Sequence, residues 1–563
     1  MVYSVVTPAK QSYLLWRRFT MPTSSGTKDA IAVSASDGDK LVSAYTFILE
    51  HIIMLVWGIA VLIVVLISIR QYGHDHPSSP ISTQIYSKRS SPFVVLQLAL
   101  RNFLQIKSIR LLISVWIAIA VAFLTVKYAI PIIFSGYIDI GNAAPVNVSA
   151  VFVPSRNNTG SFSDASNINN LEIFNFYVPW ALRAVANVDN LNDTADLNPP
   201  LSVDQPETIG VNDNGELIMR IGYRYNATGL DFGLQFYPDL LLSVEGSCIT
   251  EYDWWAGESS SNPSYPGAYV EAYIPFNNPN DTKYVSLYDG GPRAFFYANP
   301  PAASSTNSTW AAIISSVNRT SWFPSTDPWY QTGPNPFYGS NQTEIAPYMV
   351  ASQRPALSCW ENDVWSYRGH SGSITDLQQL PGLDLSPGLN TILVDSLGLP
   401  MIYLLGTYLQ VSALKSSVTA LSNILDASSS SIYSDLSRLV YASYIATINC
   451  LTETTLFPPA DGFLNGVAPG GILLEGTGDF VIYSSDIVTL SVRTLIIIPT
   501  IAVGLWIISI VLLLLPNTRQ AVTALKRPAG VNDKEETEQS RAMKMAGTVF
   551  TEALSLAESD IKE

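Results

Sequence analysis

Apolar positions in this chain follow two patterns. In three places they run on without a charged side chain, at residues 52–69, 111–126 and 495–515. Elsewhere they recur at strand or helix spacing among Asn, Ser, Gly, Pro and Tyr. About 20 helical residues, each rising 1.5 Å, cross a hydrocarbon layer of ~30 Å. The three runs therefore predict transmembrane helices at 46–70, 110–134 and 494–516. Ser114, Ala118 and Ala122 put small residues four apart on the second, a spacing that lets helix backbones approach in lipid.

The long polar segment between the second and third runs divides by period. Short β-branched and aromatic runs at 217–225, 269–273, 284–288 and 294–297 are separated by turn residues, with Asp213-Asn214-Gly215 ahead of the first. One helix is expected at 178–188. From 397 the spacing becomes helical, predicting long helices at 401–425 and 432–451. The expected fold is a membrane protein with three transmembrane α-helices and a large α+β ectodomain. That ectodomain is a β-rich glycosylated lobe at 135–396 followed by a helical membrane-proximal part at 397–493. A rival span at 397–414 has no charge but carries Gly398, Pro400, Gly406, Thr407, Gln410 and Ser412. It reads as a buried ectodomain helix with Pro400 in its first turn.

Charge orients this scheme. Lys88, Arg89, Arg101 and Lys107 crowd the loop 71–109, and Arg519, Lys526 and Arg527 follow the last run. Positive charge beside spans favours the cytosolic side. That places 1–45 outside as an extracytoplasmic tail, 71–109 inside as a basic loop with an amphipathic helix from Phe93, and 517–563 inside as a tail. Residues 1–20 lack an apolar signal region, so the first span is expected to act as the targeting signal. All eight N-glycosylation sequons, at Asn147, Asn157, Asn192, Asn226, Asn280, Asn307, Asn318 and Asn341, fall in the segment so placed outside. Glycan is added only on the lumenal side. The expected location is a multi-pass protein of the plasma membrane or secretory pathway.

Composition sharpens the partition. The net charge is −15, yet residues 139–492 hold 33 acidic and 11 basic side chains, a net of −22. Such a surface repels nucleic acid. The expected partners are the lipid bilayer and, for the ectodomain, glycan or other membrane proteins. The three cysteines, Cys248, Cys359 and Cys450, all lie in that segment, an oxidising setting. Cys248 and Cys359 share the β-rich part and are the expected pair.

Candidate chemistry is sparse. Gly369-His370-Ser371-Gly372-Ser373 approximates a nucleophile elbow, but His370 is the only histidine of the segment, so the serine has no separate base. No Cys or His cluster has metal-ligand spacing, and no cofactor fingerprint is present; no metal or cofactor is expected. Glycoside chemistry needs two carboxylates beside an aromatic platform. Glu251 with Trp254 and Trp255, and Glu361 with Trp360 and Trp365, are the candidate glycan contacts. No residue is assigned a catalytic role.

Cys248-Ile249-Thr250-Glu251-Tyr252 followed by Trp254, and Pro355 through Trp365 (Pro-Ala-Leu-Ser-Cys-Trp-Glu-Asn-Asp-Val-Trp), resemble segments of uncharacterised multi-pass membrane glycoproteins of filamentous fungi. The layout of spans and Asn-rich ectodomain is similar as well. The resemblance implies a fungal surface or secretory-membrane protein and carries over no active residue. Three functions stay open: a non-enzymatic membrane glycoprotein that senses or contacts glycan, a membrane-anchored glycan-active enzyme, and a scaffold subunit of a membrane complex.

Overall fold

The computed structural model describes residues 8–72, 85, 91–105, 110–155, 168–190, 201–259, 270–286, 293–299, 305–339, 346–421, 424–457 and 464–514. The chain forms two compact units, Met1–Val42 with Tyr137–Thr494, and Ser43–Gly136 with Leu495–Glu563. In order, the principal elements are β1 (Arg18–Thr23), β2 (Gly26–Ser34), α1 (Ala35–Tyr72), α2 (Pro92–Gln105), α3 (Arg110–Ile138), β3 (Asp139–Gly141) and α4 (Ile168–Asn190). Then come β4 (Leu201–Val203), β5 (Glu207–Val211), β6 (Leu217–Thr228), β7 (Leu241–Glu251), β8 (Arg293–Asn299), β9 (Asn307–Ser315), β10 (Ala356–Tyr367) and β11 (His370–Gly372). The chain continues through α5 (Pro387–Leu397), α6 (Met401–Leu409), α7 (Ile432–Glu453), β12 (Ile487–Ser491) and α8 (Val492–Leu514). Among the described residues the fold is an α+β mixture with a β-rich body and three long apolar helices.

The first unit is built on an antiparallel sheet of order β8-β9-β10-β7-β6-β4, with β5 and β11 paired at its margins. Side chains alternate across such a sheet. Ile221, Tyr223, Tyr225, Leu242, Val244, Trp310, Ile314, Leu357 and Trp365 face one way, into a single core with α4, α6 and α7. Ala311, Ile313 and Ala356 face the other way, into a smaller cluster with Trp254, Tyr273 and Val285. Cys248 and Cys359 lie directly opposite each other on β7 and β10 and are bonded. Cys450 on α7 is a free, buried thiol.

Helix α7 shows why the core is continuous. Its N-cap Ser431 accepts from the Ser434 amide, and nearly every residue from Leu436 to Glu453 is buried. A helix buried on all sides must satisfy its polar groups internally. Asp435 accepts from Tyr330 and Ser416, Arg438 pairs with Asp189, and Glu453 pairs with Arg183.

Several expectations change here. Arg18–Thr23 and Gly26–Ser34, expected within a tail, are strands: β1 and β2 form a hairpin, and β2 pairs with β12, which pairs with β3. The helical part from 397 is not separate from the β-rich lobe, because α6 and α7 share its core. The helix expected over 401–425 ends at Leu409, where Gln410 takes φ 50° and two 3-10 turns follow. Arg438 donates to the carbonyls of Ser412 and Leu414, and Asp435 accepts from the Ser416 amide. Those tertiary bonds replace the helical ones. Pro387–Leu397 and the segment from Met401 are together apolar enough for one span, but they are bent by 61°. Met401, Leu404, Leu405 and Leu409 are packed in the core. A Cβ on Gly406 would lie 2.3 Å from the Phe296 ring, so helix and sheet touch at that glycine.

In the second unit, Trp57 and Val61 of α1, Val95 and Ala99 of α2, and Ile113, Trp116 and Ala120 of α3 form one cluster. Trp57 meets Phe123 edge-on at 5.2 Å. Ser114, Ala118 and Ala122 face outward, so the expected small-residue face is not the packed one. Ala35–Val64, Ile113–Ile138 and Val492–Leu512 are long and apolar enough to cross a membrane. Most of Val492–Leu512 is uncovered, leaving Ile501, Val503, Trp506, Ile507 and Val511 exposed. The tail 517–563 lies outside the described residues.

Candidate functional site

The β10 strand carries the densest chemistry, because its alternation sends one set of polar residues into the core and another out to solvent. Inward, Tyr223 donates to Glu361 at 2.5 Å and accepts from the Trp310 indole at 3.2 Å. Asp363 follows two residues on, on the same face, and, beyond burial, its charge raises the Glu361 carboxyl. Its Oδ1 is buried without a hydrogen-bond partner. Tyr225 and Thr447 close the group at 3.5 Å. Gly246 makes the arrangement feasible: a Cβ there would lie 2.2 Å from the Tyr223 ring, which lies over β7 at that point.

Burial, with Asp363 beside it, pushes the Glu361 carboxyl well above its ordinary range. Burial raises Asp363 to about 7 and Tyr223 and Tyr225 well above 10. Two carboxyls this close cannot both ionise in a medium of low dielectric, so the pair holds a proton. The cavity beside them, lined by Leu242, Val244, Trp365, Leu397 and Met401, has room for about one water molecule. It is a proton-holding joint between sheet and helices, too small for a sugar.

A second buried acidic group joins segments that are far apart in the chain. Asp435 accepts from Tyr330 at 2.5 Å and from the Ser416 amide, while Asp327 accepts from the Ile432 amide at the start of α7. Burial raises both to about 6. Nothing in the sequence marks these tyrosine–carboxyl pairs, because the partners are far apart in the chain.

The sequence-derived glycan contacts are dispersed. Trp365 and Glu361 are inside the core and Trp254 is inside the smaller cluster on the opposite face. Trp255 donates to the buried Glu271. Glu251 sits opposite Ala356, five positions along β10 from Glu361 and on the other face. At about 3.4 Å per residue that separates the two carboxylates by ~17 Å along the sheet, too far for paired glycoside chemistry. Trp360 alone is open, 43 % exposed. Among the sequons, Asn226, Asn280, Asn307 and Asn318 are exposed. Asn147 is half-buried, its amide donating to the Gln11 carbonyl. Asn157, Asn192 and Asn341 lie outside the described residues. Gly369-His370-Ser371 is a hairpin: Arg368 and Gly369 both take positive φ, and Tyr367 pairs with His370. Among the described residues no group of His, Cys, Asp and Glu could hold a metal ion.

Fold and site thus define an α+β protein whose β-rich body carries a buried acid pair and which has, among the described residues, three apolar helices of membrane-spanning length. Residues 178–482, more than half of the chain, match the family described as Domain of unknown function (DUF8406), and the chain belongs to that family. The match runs from inside α4 to the residues just before β12. No curated protein matches, and no solved structure does.

Proposed function

We propose that this is an integral membrane glycoprotein that presents the β-rich unit outside the cell or in the secretory lumen and acts there by contact. In this reading α1, α3 and α8 cross the bilayer, 71–109 and the tail are cytosolic, and 397–414 stays outside. One observation carries it. β2 leads into α1, β3 follows α3, β12 leads into α8, and the three are neighbours in one sheet. Strands that hydrogen-bond to one another lie on one side of a membrane, so each apolar helix leaves from that side. The loop 71–109 and the tail are then on the other side, where their basic residues favour the cytosol.

The separation of Glu251 from Glu361 and the size of the inner cavity favour binding over glycoside hydrolysis. The layout shared with fungal membrane glycoproteins supports a fungal surface or secretory setting. The test is protease protection in sealed microsomes, with epitope tags at both ends of the full chain. The leading tag and the β-rich unit should be protected in the lumen and the trailing tag digested. A digested leading tag beside a protected β-rich unit would overturn the scheme.

A further inference from the structure

The outer face of the main sheet carries one open tryptophan and, beside it, a sequon. Thr309 of β9 lies directly opposite Trp360 of β10, and Asn307 directly opposite Asn362. Asn307, Thr309, Trp360 and Asn362 therefore project from the same face, away from the core that takes Ser308, Trp310, Cys359 and Glu361. Asn307 is the diagonal neighbour of Trp360, at about 7–8 Å between such positions, within reach of an aromatic side chain. Asn307 is exposed and opens the sequon Asn307-Ser308-Thr309. Two polar atoms of this face, Ser247 Oγ and Asn362 Oδ1, are buried without a hydrogen-bond partner. Ser247 flanks Trp360 on β7, and Asn362 faces Asn307 from β10.

We infer that Trp360 is the stacking platform for the first N-acetylglucosamine of a glycan carried on Asn307. The sugar ring is joined directly to the Asn307 amide nitrogen, so its position follows from the strand register. Its axial C–H face is apolar and matches an indole face. Asn362 Oδ1 supplies an acceptor where the linkage amide and the N-acetyl group supply donors. The glycan is in this way packed as part of the sheet surface, and the exposed tryptophan is covered. Among the other described sequons, Asn226 has Ser243 across from it, Asn280 and Asn318 lie in turns, and Asn147 is half-buried with its amide donating to the Gln11 carbonyl, so this pairing belongs to Asn307.

The inference rests on the glycoprotein reading, and one experiment separates the two. The full chain is made in a eukaryotic secretory host, and occupancy of Asn307 is read by glycopeptide mass spectrometry. Hydroxyl-radical footprinting then measures oxidation of Trp360 in the wild type, in protein trimmed enzymatically to the first sugar, and in Asn307→Gln. Protein stripped of the whole glycan after folding is the fourth sample, so that a folding defect in the variant cannot mimic the result. Trp322, 49 % exposed, is the internal reference. Trp360 should be protected in the first two samples and oxidised several-fold faster in the last two, with Trp322 unchanged. Equal Trp360 oxidation in all four with Asn307 occupied would overturn the stacking while leaving the glycoprotein reading intact. An unoccupied Asn307 would overturn both at this position.

Discussion

Replacing Asp363 by Asn tests the buried acid pair. The carboxyl rises from an ordinary 3.8 to about 7, first through burial, with Glu361 as its neighbour. An acid whose folded pKa is raised binds more protons folded than unfolded. Its contribution to stability is fully present below about pH 4 and is lost as pH rises towards 7. A shift of roughly three units at about 1.4 kcal/mol per unit bounds that loss at about 4 kcal/mol. The two carboxyls titrate as a pair, so the measured quantity belongs to both. The amide introduced by Asp363→Asn keeps a polar group of the same shape beside Glu361 and removes one titration. Urea unfolding of the full chain in detergent, followed by tryptophan fluorescence from pH 4.5 to 8, gives the slope. Asp327, Asp435 and Glu172, raised by burial to about 6, 6 and 7, add slopes of the same sign, so the difference between variant and wild type is what counts. Asp363→Asn should match the wild type within about 1 kcal/mol at pH 4.5 and exceed it by about 2–4 kcal/mol at pH 8. Parallel curves would mean that the pair titrates as ordinary carboxyls, and the reasoning would fail.

Further expectations follow from single contacts. Gly246→Ala drives a methyl into the Tyr223 ring and should cost about 1–3 kcal/mol or more, read as a lower thermal midpoint. Cys248→Ser and Cys359→Ser open the same loop of 111 residues, so each should lose up to about 5 kcal/mol in the chain-entropy model. The double variant should lose little more, and a doubled loss in denaturant titration would refute a shared bond. Arg438→Met strands the Ser412 and Leu414 carbonyls, at about 1–3 kcal/mol each, and should raise proteolysis around 410–419.

Much of the outline is legible in the sequence because it depends on local pattern. The three apolar runs are continuous, so they predict helices of spanning length whatever surrounds them. The strands near 217, 270, 284 and 294 and the turn at Gly215 follow from alternation and from a glycine at positive φ. The cysteine pair is suggested by both residues falling in the β-rich part. What neighbours do in space is not written locally. The leading residues read as a tail because the partner of β2 is more than 450 positions away, in β12. The helix from Met401 reads as long because its stop comes from Arg438 on another helix. Glu361 and Trp360 are adjacent letters, yet strand pleating sends one to the buried core and the other to solvent. Only register and burial decided that the carboxylates near the tryptophans are not one site, and that Trp360 stands beside Asn307.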